Sequence, residues 1–526
     1  MPTLANQYPT SWFVLAMIAL VGCAVPKPVR LVALGEPPEL VKPSEVAAAI
    51  QPVAQVEPEP LPPQSASVPL IPAVTAPAEP GSGVRLNLAA ALAATDAQNP
   101  LVEIARWRAE ESYAQAMRAN TLWLPHLRAG MAYNRHEGAI QDVAGKVFDT
   151  SRGGYQAGLG PHAVGQASPP IPGVWFQFHT ADAMWQPTIA GSAAGARSAA
   201  AETAASDAVL ETATYYLELL RADQDVAIAR DLAVKSEKLA DLTAAYARSG
   251  QGLESDHDRM RTELALRQND VLRAEEQAQL ASTRLATQLR FDPSQRITLD
   301  EPAAIPISLV PLERTAAELV SEGLSRRSEV SEHRALVNEA VARLKREKLA
   351  PLLPSVLLGF SYNGVSGGIG TNFSPLKDRF DADAVAYWEL RNLGYGDRAA
   401  QSEACARIEQ ARWREVGALD RIAREIIEAH TRITSRVQQV ALAEQAVKAA
   451  EDSYRRNQLR IDNAQGLPIE ALQSIQALGL ARREYLRAVS DYNLAQFQLL
   501  RAIGGGSENL LSAPTALADS ADDRQD

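Results

Sequence analysis

Two short stretches of the chain alternate apolar with polar residues at every second position. In the first, Leu127, Ala129, Met131 and Tyr133 alternate with Arg128, Gly130, Ala132 and Asn134. In the second, Phe380, Ala382, Ala384, Ala386 and Trp388 are interleaved with Asp381 and Asp383. An apolar face opposite a polar one at period two predicts a half-buried strand, either lying on helices or facing lipid. The rest of the pattern is helical. No proline falls between Pro187 and Pro293 or between Pro375 and Pro468, and both runs are rich in Ala, Glu, Arg, Leu and Gln. Apolar residues recur there at coiled-coil spacing: Leu264, Val271, Ala278 and Leu285; Leu478, Tyr485, Tyr492 and Leu499; Ile422, Ile426, Ile433, Val437, Val440 and Val447. From Pro187 to Gly250 is about 64 residues, on the order of 95 Å of helix. Each run is broken once by a Gly-Leu turn, in QGLESD (residues 251–256) and QGLPIE (465–470).

These elements occur twice in the same order. LPHLRAGMAYN (124–134) and LPSVLLGFSYN (353–363) share a frame, and each is followed by a tryptophan-bearing patch read as extended, ADAMWQ (181–186) and ADAVAYWEL (382–390). A tandem repeat specifies architecture before any single motif does. The expected first repeat spans 86–303, with strands near 125–135 and 174–186 and a hairpin tip near 249–256. The second spans 304–504, with strands near 354–363 and 380–390 and a tip near 463–470. Pro125 to Trp185 is 60 positions and Pro354 to Trp388 only 34, so the first copy carries 26 extra residues. Its Gly/Ala/Pro-rich stretch 153–173 reads as a solvated loop.

The ends differ from the middle. Residues 12–22 form an apolar run too short to span a bilayer as a helix but fitting a signal-peptide core. It ends in Leu20-Val21-Gly22-Cys23, which resembles a bacterial lipobox; that resemblance implies a signal peptide over 1–22, acylation of Cys23 and delivery to the outer membrane. No Lys or Arg precedes the core, and an ordinary signal peptide is the alternative. Between Ala24 and Arg85 lie 14 of the 32 prolines, predicting a semi-extended tether over 23–85. Residues 505–526 read as an acidic solvated tail. A net charge of −11 disfavours nucleic acid as a partner. Cys23 and Cys405 are the two cysteines, too few for a disulfide framework. The seven histidines have no metal-ligand spacing and no nucleophile motif is present, so neither an enzyme nor a cofactor is expected.

Four strands, two per copy, cannot close around a lumen. Nor can their open edges face lipid, where each unpaired backbone group costs several kcal/mol. Strands spanning a membrane would therefore form a barrel shared between chains. With the doubled L-P-x-x-x-x-G-x-x-Y-N strands, the Gly-Leu tips, the helix end at 284–289 with Asp292-Pro293, and the repeat starts at Asn99-Pro100 and Arg326-Arg327-Ser328-Glu329, the chain resembles the TolC-type outer-membrane efflux and secretion channels over 84–504. The resemblance implies a mixed α and β fold. In it a homotrimer would share a 12-stranded transmembrane β-barrel, continued by a long α-helical barrel into the periplasm. The implied partners are a periplasmic adaptor, an inner-membrane transporter and outer-membrane lipid. Gly252, Leu253, Gly466 and Leu467 take the family's adaptor-docking positions. Glu470, with Asp256 as its first-copy counterpart, takes the position of the periplasmic aperture. A three-fold carboxylate ring there would favour cations. A lipid-anchored coiled-coil tether without a pore is the alternative from a different class.

Overall fold

The computed structural model describes residues 84–505 apart from Arg128, 160–173, Gln251, Pro302 and Ala464. Cys23, the signal core, the tether and the tail beyond Gly505 lie outside the described residues. In chain order the elements are β1 (Val84–Leu86), α1 (Leu88–Gln98), α2 (Pro100–Asn120), β2 (His126–Leu127), β3 (Ala129–Gln141), β4 (Val147–Leu159), β5 (Val174–His179), α3 (Thr180–Arg248) and α4 (Glu254–Gln288). They are followed by β6 (Ile297–Leu299), α5 (Ala316–Arg326), α6 (Ser328–Leu349), β7 (Ser355–Ile369), β8 (Asn372–Phe373), β9 (Lys377–Tyr387), α7 (Tyr395–Asp462) and α8 (Pro468–Ala502).

The main sheet amounts to four long strands. β2 and β3 run along β4 and β5, both of these pair with β7, and β7 pairs on its other side with β8 and β9, all antiparallel. β3 and β9 are its open edges. Directly paired residues share a face. Phe178, Val356 and Ala386 therefore fall with Leu358, Ala384 and Ala382 on one face, and Ser355, Arg379, Leu357, Val385 and Tyr387 on the other. The apolar face ends at Tyr133, Tyr362 and Phe380, 59%, 60% and 66% exposed. Two residues further along the strands are Arg135 and Asp378. At its opposite end stand Trp123 and Trp388, both exposed. Ser355 to Tyr362 is seven steps of roughly 3.3 Å, about 18 Å once tilted by about 40°. The flanking rings extend that toward the ~25 Å apolar band of outer-membrane barrels.

Two expectations fail here. Residues 153–159 are strand rather than loop, because β4 is paired on both sides; the phenyl ring of Phe373 lies over Gly153, where even a Cβ would meet it at 2.4 Å. Residues 160–173 lie outside the described residues. The patch 181–186 with Trp185 is the opening of α3, not a strand, so the second strand ends at His179 rather than at 186, and the helix begins seven residues before Pro187. Long-range contacts fix that start: Thr180 Oγ1 donates to the Pro354 carbonyl, and Arg346 Nε lies 2.5 Å from Asp182.

Helices α3 and α7, of 69 and 68 residues, run on the order of 100 Å each. Near the sheet the layer order is α2, α3, α6, α7; toward the tips it is α4, α3, α8, α7. Leu285, Ala278, Leu478, Tyr492, Leu499, Ile422, Ile426 and Ile433 of the heptad rows are buried. Val437, Val440 and Val447, farther down α7, are only half-buried. Both edges of the layer expose apolar side chains: Leu101, Ile104 and Trp107 on α2 and Leu266 and Leu272 on α4, against Trp413, Leu442 and Leu459 on α7. Asn99-Pro100 and Arg327-Ser328 open α2 and α6, the second helix of each repeat rather than the first, since α1 and α5 precede them. β1 pairs in parallel with β6. Among the described residues no helix is long and apolar enough to cross a membrane.

Candidate functional site

The two Gly-Leu turns lie side by side at the ends of their hairpins. α3 stops at Arg248, and Gly250 takes a left-handed φ of +75°, the usual glycine stop. The Gly252 amide then donates to the Tyr246 carbonyl at 3.0 Å. A Cβ on Gly252 would stand 2.9 Å from Tyr246 Cβ, so glycine is required for close approach. In the second hairpin a Cβ on Gly466 would stand 3.0 Å from Ile461 Cγ1.

Leu253 and Leu467 are the N-caps of α4 and α8 with almost the same backbone, φ −84°, ψ 138° and φ −88°, ψ 138°. Their carbonyls accept from the Asp256 and Glu470 amides at 3.1 and 3.0 Å. Their side chains are 67% and 60% exposed. Asp256 and Glu470 occupy the same first-turn position, where a carboxylate complements the helix dipole whatever else it does. They differ in surroundings. Arg460 Nη1 lies 3.1 Å from Glu470 Oε2, an ion pair without hydrogen-bond geometry, and that oxygen has no hydrogen-bond partner. Asp256 makes no ion pair among the described residues. The Glu470 carboxylate is thus charge-compensated within its own hairpin.

Sequence reasoning missed what joins the tips. The Tyr246 hydroxyl donates to the Ile461 carbonyl at 3.2 Å, bridging α3 and α7. Beneath it Leu232, Leu239, Met260, Ile461, Leu472 and Ile475 form one apolar cluster drawn from both hairpins. The result is a groove of about 640 Å³ lined by Leu242, Tyr246, Leu253, Ile461, Leu467 and Pro468 among others. The available signal was positional: Tyr246 and Arg460 each stand six residues before the tip glycine. Among the described residues no cluster of His, Cys, Asp or Glu could hold a metal. The groove is lined mainly by apolar side chains, with Thr243 and Asp256 among them, and is open, suited to receive a partner's side chains rather than to enclose a reacting molecule.

Neither a family model nor a curated relative matches the sequence. Solved structures do. VceC of Vibrio cholerae, an outer-membrane protein, is 18% identical over 80% of this chain and 96% of its own, with a TM-score of 0.62. The CmeC outer-membrane channel of Campylobacter jejuni is 14% identical over 82% and 90%, at 0.65. The MtrE outer-membrane channel of Neisseria gonorrhoeae, in its open state, is 16% identical over 80% and 89%, at 0.61. The fold is that of the TolC-type outer-membrane channels. At these identities the likeness concerns architecture. In this TolC-type fold the paired tips form the end of the helical layer remote from the sheet, because α3 and α7 run from one to the other.

Proposed function

We propose that three copies of this chain form an outer-membrane channel, a passive export duct. Substrates would be delivered to it by a periplasmic adaptor and an inner-membrane transporter. One observation carries the reading: a four-stranded sheet with one apolar face and one mixed face has two edges without a partner among the described residues and continues into a helical layer whose two edges are also apolar. Such a sheet can face lipid only if β3 of one copy pairs with β9 of the next. Three copies would supply 12 strands, with the face that carries Ser355 and Arg379 on the lumen side and Trp123, Trp388, Tyr133 and Tyr362 marking the two membrane interfaces. Acylated Cys23 would add an anchor to the inner leaflet. Leu253 and Leu467, with the groove between them, would receive the adaptor, and Glu470 would line the aperture with its charge offset by Arg460.

The test is extraction and conductance. Detergent-solubilised full chain should run as a trimer and open cation-selective channels in planar bilayers, and mass spectrometry of its N-terminus should find a diacylglyceryl-modified Cys23. A monomer stable in water without detergent, with no conductance, would overturn the duct in favour of a coiled-coil tether.

A further inference from the structure

Five charged side chains from four helices and a helix junction meet where the layer changes its helices. Arg327, between α5 and α6, hydrogen-bonds Glu329 through Nε at 3.0 Å and pairs with Glu425 of α7 at 2.5 Å. Arg501 of α8 lies 2.9 Å from Glu329 and 3.5 Å from Glu425, and its Nε donates to Asp207 of α3 at 2.7 Å. Arg327 is buried and Arg501 largely so, at 3% and 14% side-chain exposure, whereas Asp207 is 54% exposed. Three carboxylates therefore share two guanidiniums. One carboxylate is in excess, and the most exposed of the three is Asp207, ahead of Glu425 at 36% and Glu329 at 11%.

The surroundings do not correct the imbalance. Glu211 on the next turn of α3 adds negative charge. A cleft of about 560 Å³ opens beside the cluster, and across it stand Glu110 and Arg106 of α2, Glu202 of α3 and Arg326 of α5. Arg106 and Arg326 are engaged elsewhere, by Glu103 and Glu322. Asp207 belongs to the first repeat and the other four residues to the second, so this cluster is a seam between repeats.

We propose that the cluster is a proton-sensitive joint between the two repeats, and that uptake of one proton by Asp207 in mild acid tightens it. Desolvation by the surrounding protein, partial because the side chain is still 54% exposed, and the Glu329 charge push the Asp207 carboxyl up from 3.8 to about 6, against the opposing pull of Arg327. A carboxyl raised in the folded chain binds its proton more tightly there than when unfolded. Its contribution to stability is therefore fully present below the unfolded value and is lost as pH rises through about 6.

The joint lies within one chain, so its test stands whether or not the protein is a duct. The unfolding temperature of the full chain in detergent is measured from pH 5 to 7.5 beside Asp207→Asn. The wild type minus variant difference should fall by roughly 1–3 °C across that range, with its midpoint near pH 6. Glu425→Gln, which removes one of the repelling charges, should move that midpoint to lower pH. A difference that stays flat, or rises with pH, overturns the proposal; a rise would mean that Arg501 holds Asp207 ionised.

Discussion

At their tips the two repeats are near copies, and at the sheet they are not. Leu253 and Leu467 share one backbone conformation, follow a glycine with no room for a Cβ, and precede a carboxylate in the same turn. At the other end β5 passes into α3 with no residue between, His179 to Thr180. β9 instead reaches α7 through Trp388 to Gly394, where Asn392, Leu393 and Gly394 take successive left-handed φ values of 50°, 58° and 86°. Non-glycine residues there cost on the order of 1–2 kcal/mol each. What offsets that is Asp397, which accepts from the Arg391 amide at 3.0 Å and its Nε at 2.7 Å, while Arg391 also reaches Glu347 at 2.6 Å. Farther out, β3 and β4 run as a free ribbon beyond the last β4–β7 pair, Arg152 with Ile369, whereas the second hairpin turns at Gly370. The contrast teaches where duplication is kept: a tip motif satisfies its own backbone locally, while each sheet junction answers to different neighbours.

The sharpest test of tip equivalence is a charge at each leucine. Leu253→Asp and Leu467→Asp should each abolish export at normal abundance and assembly, since a buried unpaired charge at a docked contact costs a few kcal/mol. Loss with only one of them would break the equivalence, and export intact with both would remove the tips from the docking surface.

The junctions should respond unequally. Asp397→Ala strips the carboxylate that supports a left-handed turn and leaves Arg391 half paired, so a loss of about 2 kcal/mol is expected in thermal unfolding. Asp182→Ala at the first junction should cost less than about 1 kcal/mol, because Arg346 keeps Glu347 and no left-handed residue depends on it. Equal losses would contradict the asymmetry.

The smallest effects belong to the tip carboxylates. Glu470→Gln removes a half-exposed ion pair and should change stability by under about 0.5 kcal/mol. In single-channel recordings it should nevertheless reduce cation preference, since Arg460 is left uncompensated. Asp256→Asn, with no arginine to release, should reduce it less.

Much of this was legible in the residues themselves. Period-two alternation marked two of the strands, at 127–134 and 380–388, heptads marked the long hairpins, and the doubled frame marked their order, because each pattern reports which face of an element is buried. What a face is buried against is not periodic. Ala181 to Trp185 suits strand or helix equally, and contacts from Asp182 to Arg346 and from Thr180 to Pro354 made it helix. Gly153 and Gly154 read as loop until Phe373, more than 200 residues on, covers the first of them. The amide of Asn493 accepts from Ile307 and donates to Ile305 at 2.8 Å each, pairing like a strand with the segment between the repeats. Nothing local in α8 marks that asparagine. The tip groove and the Asp207 cluster are of the same kind: each is made by residues from both repeats, and only the packing of one repeat on the other brings them together.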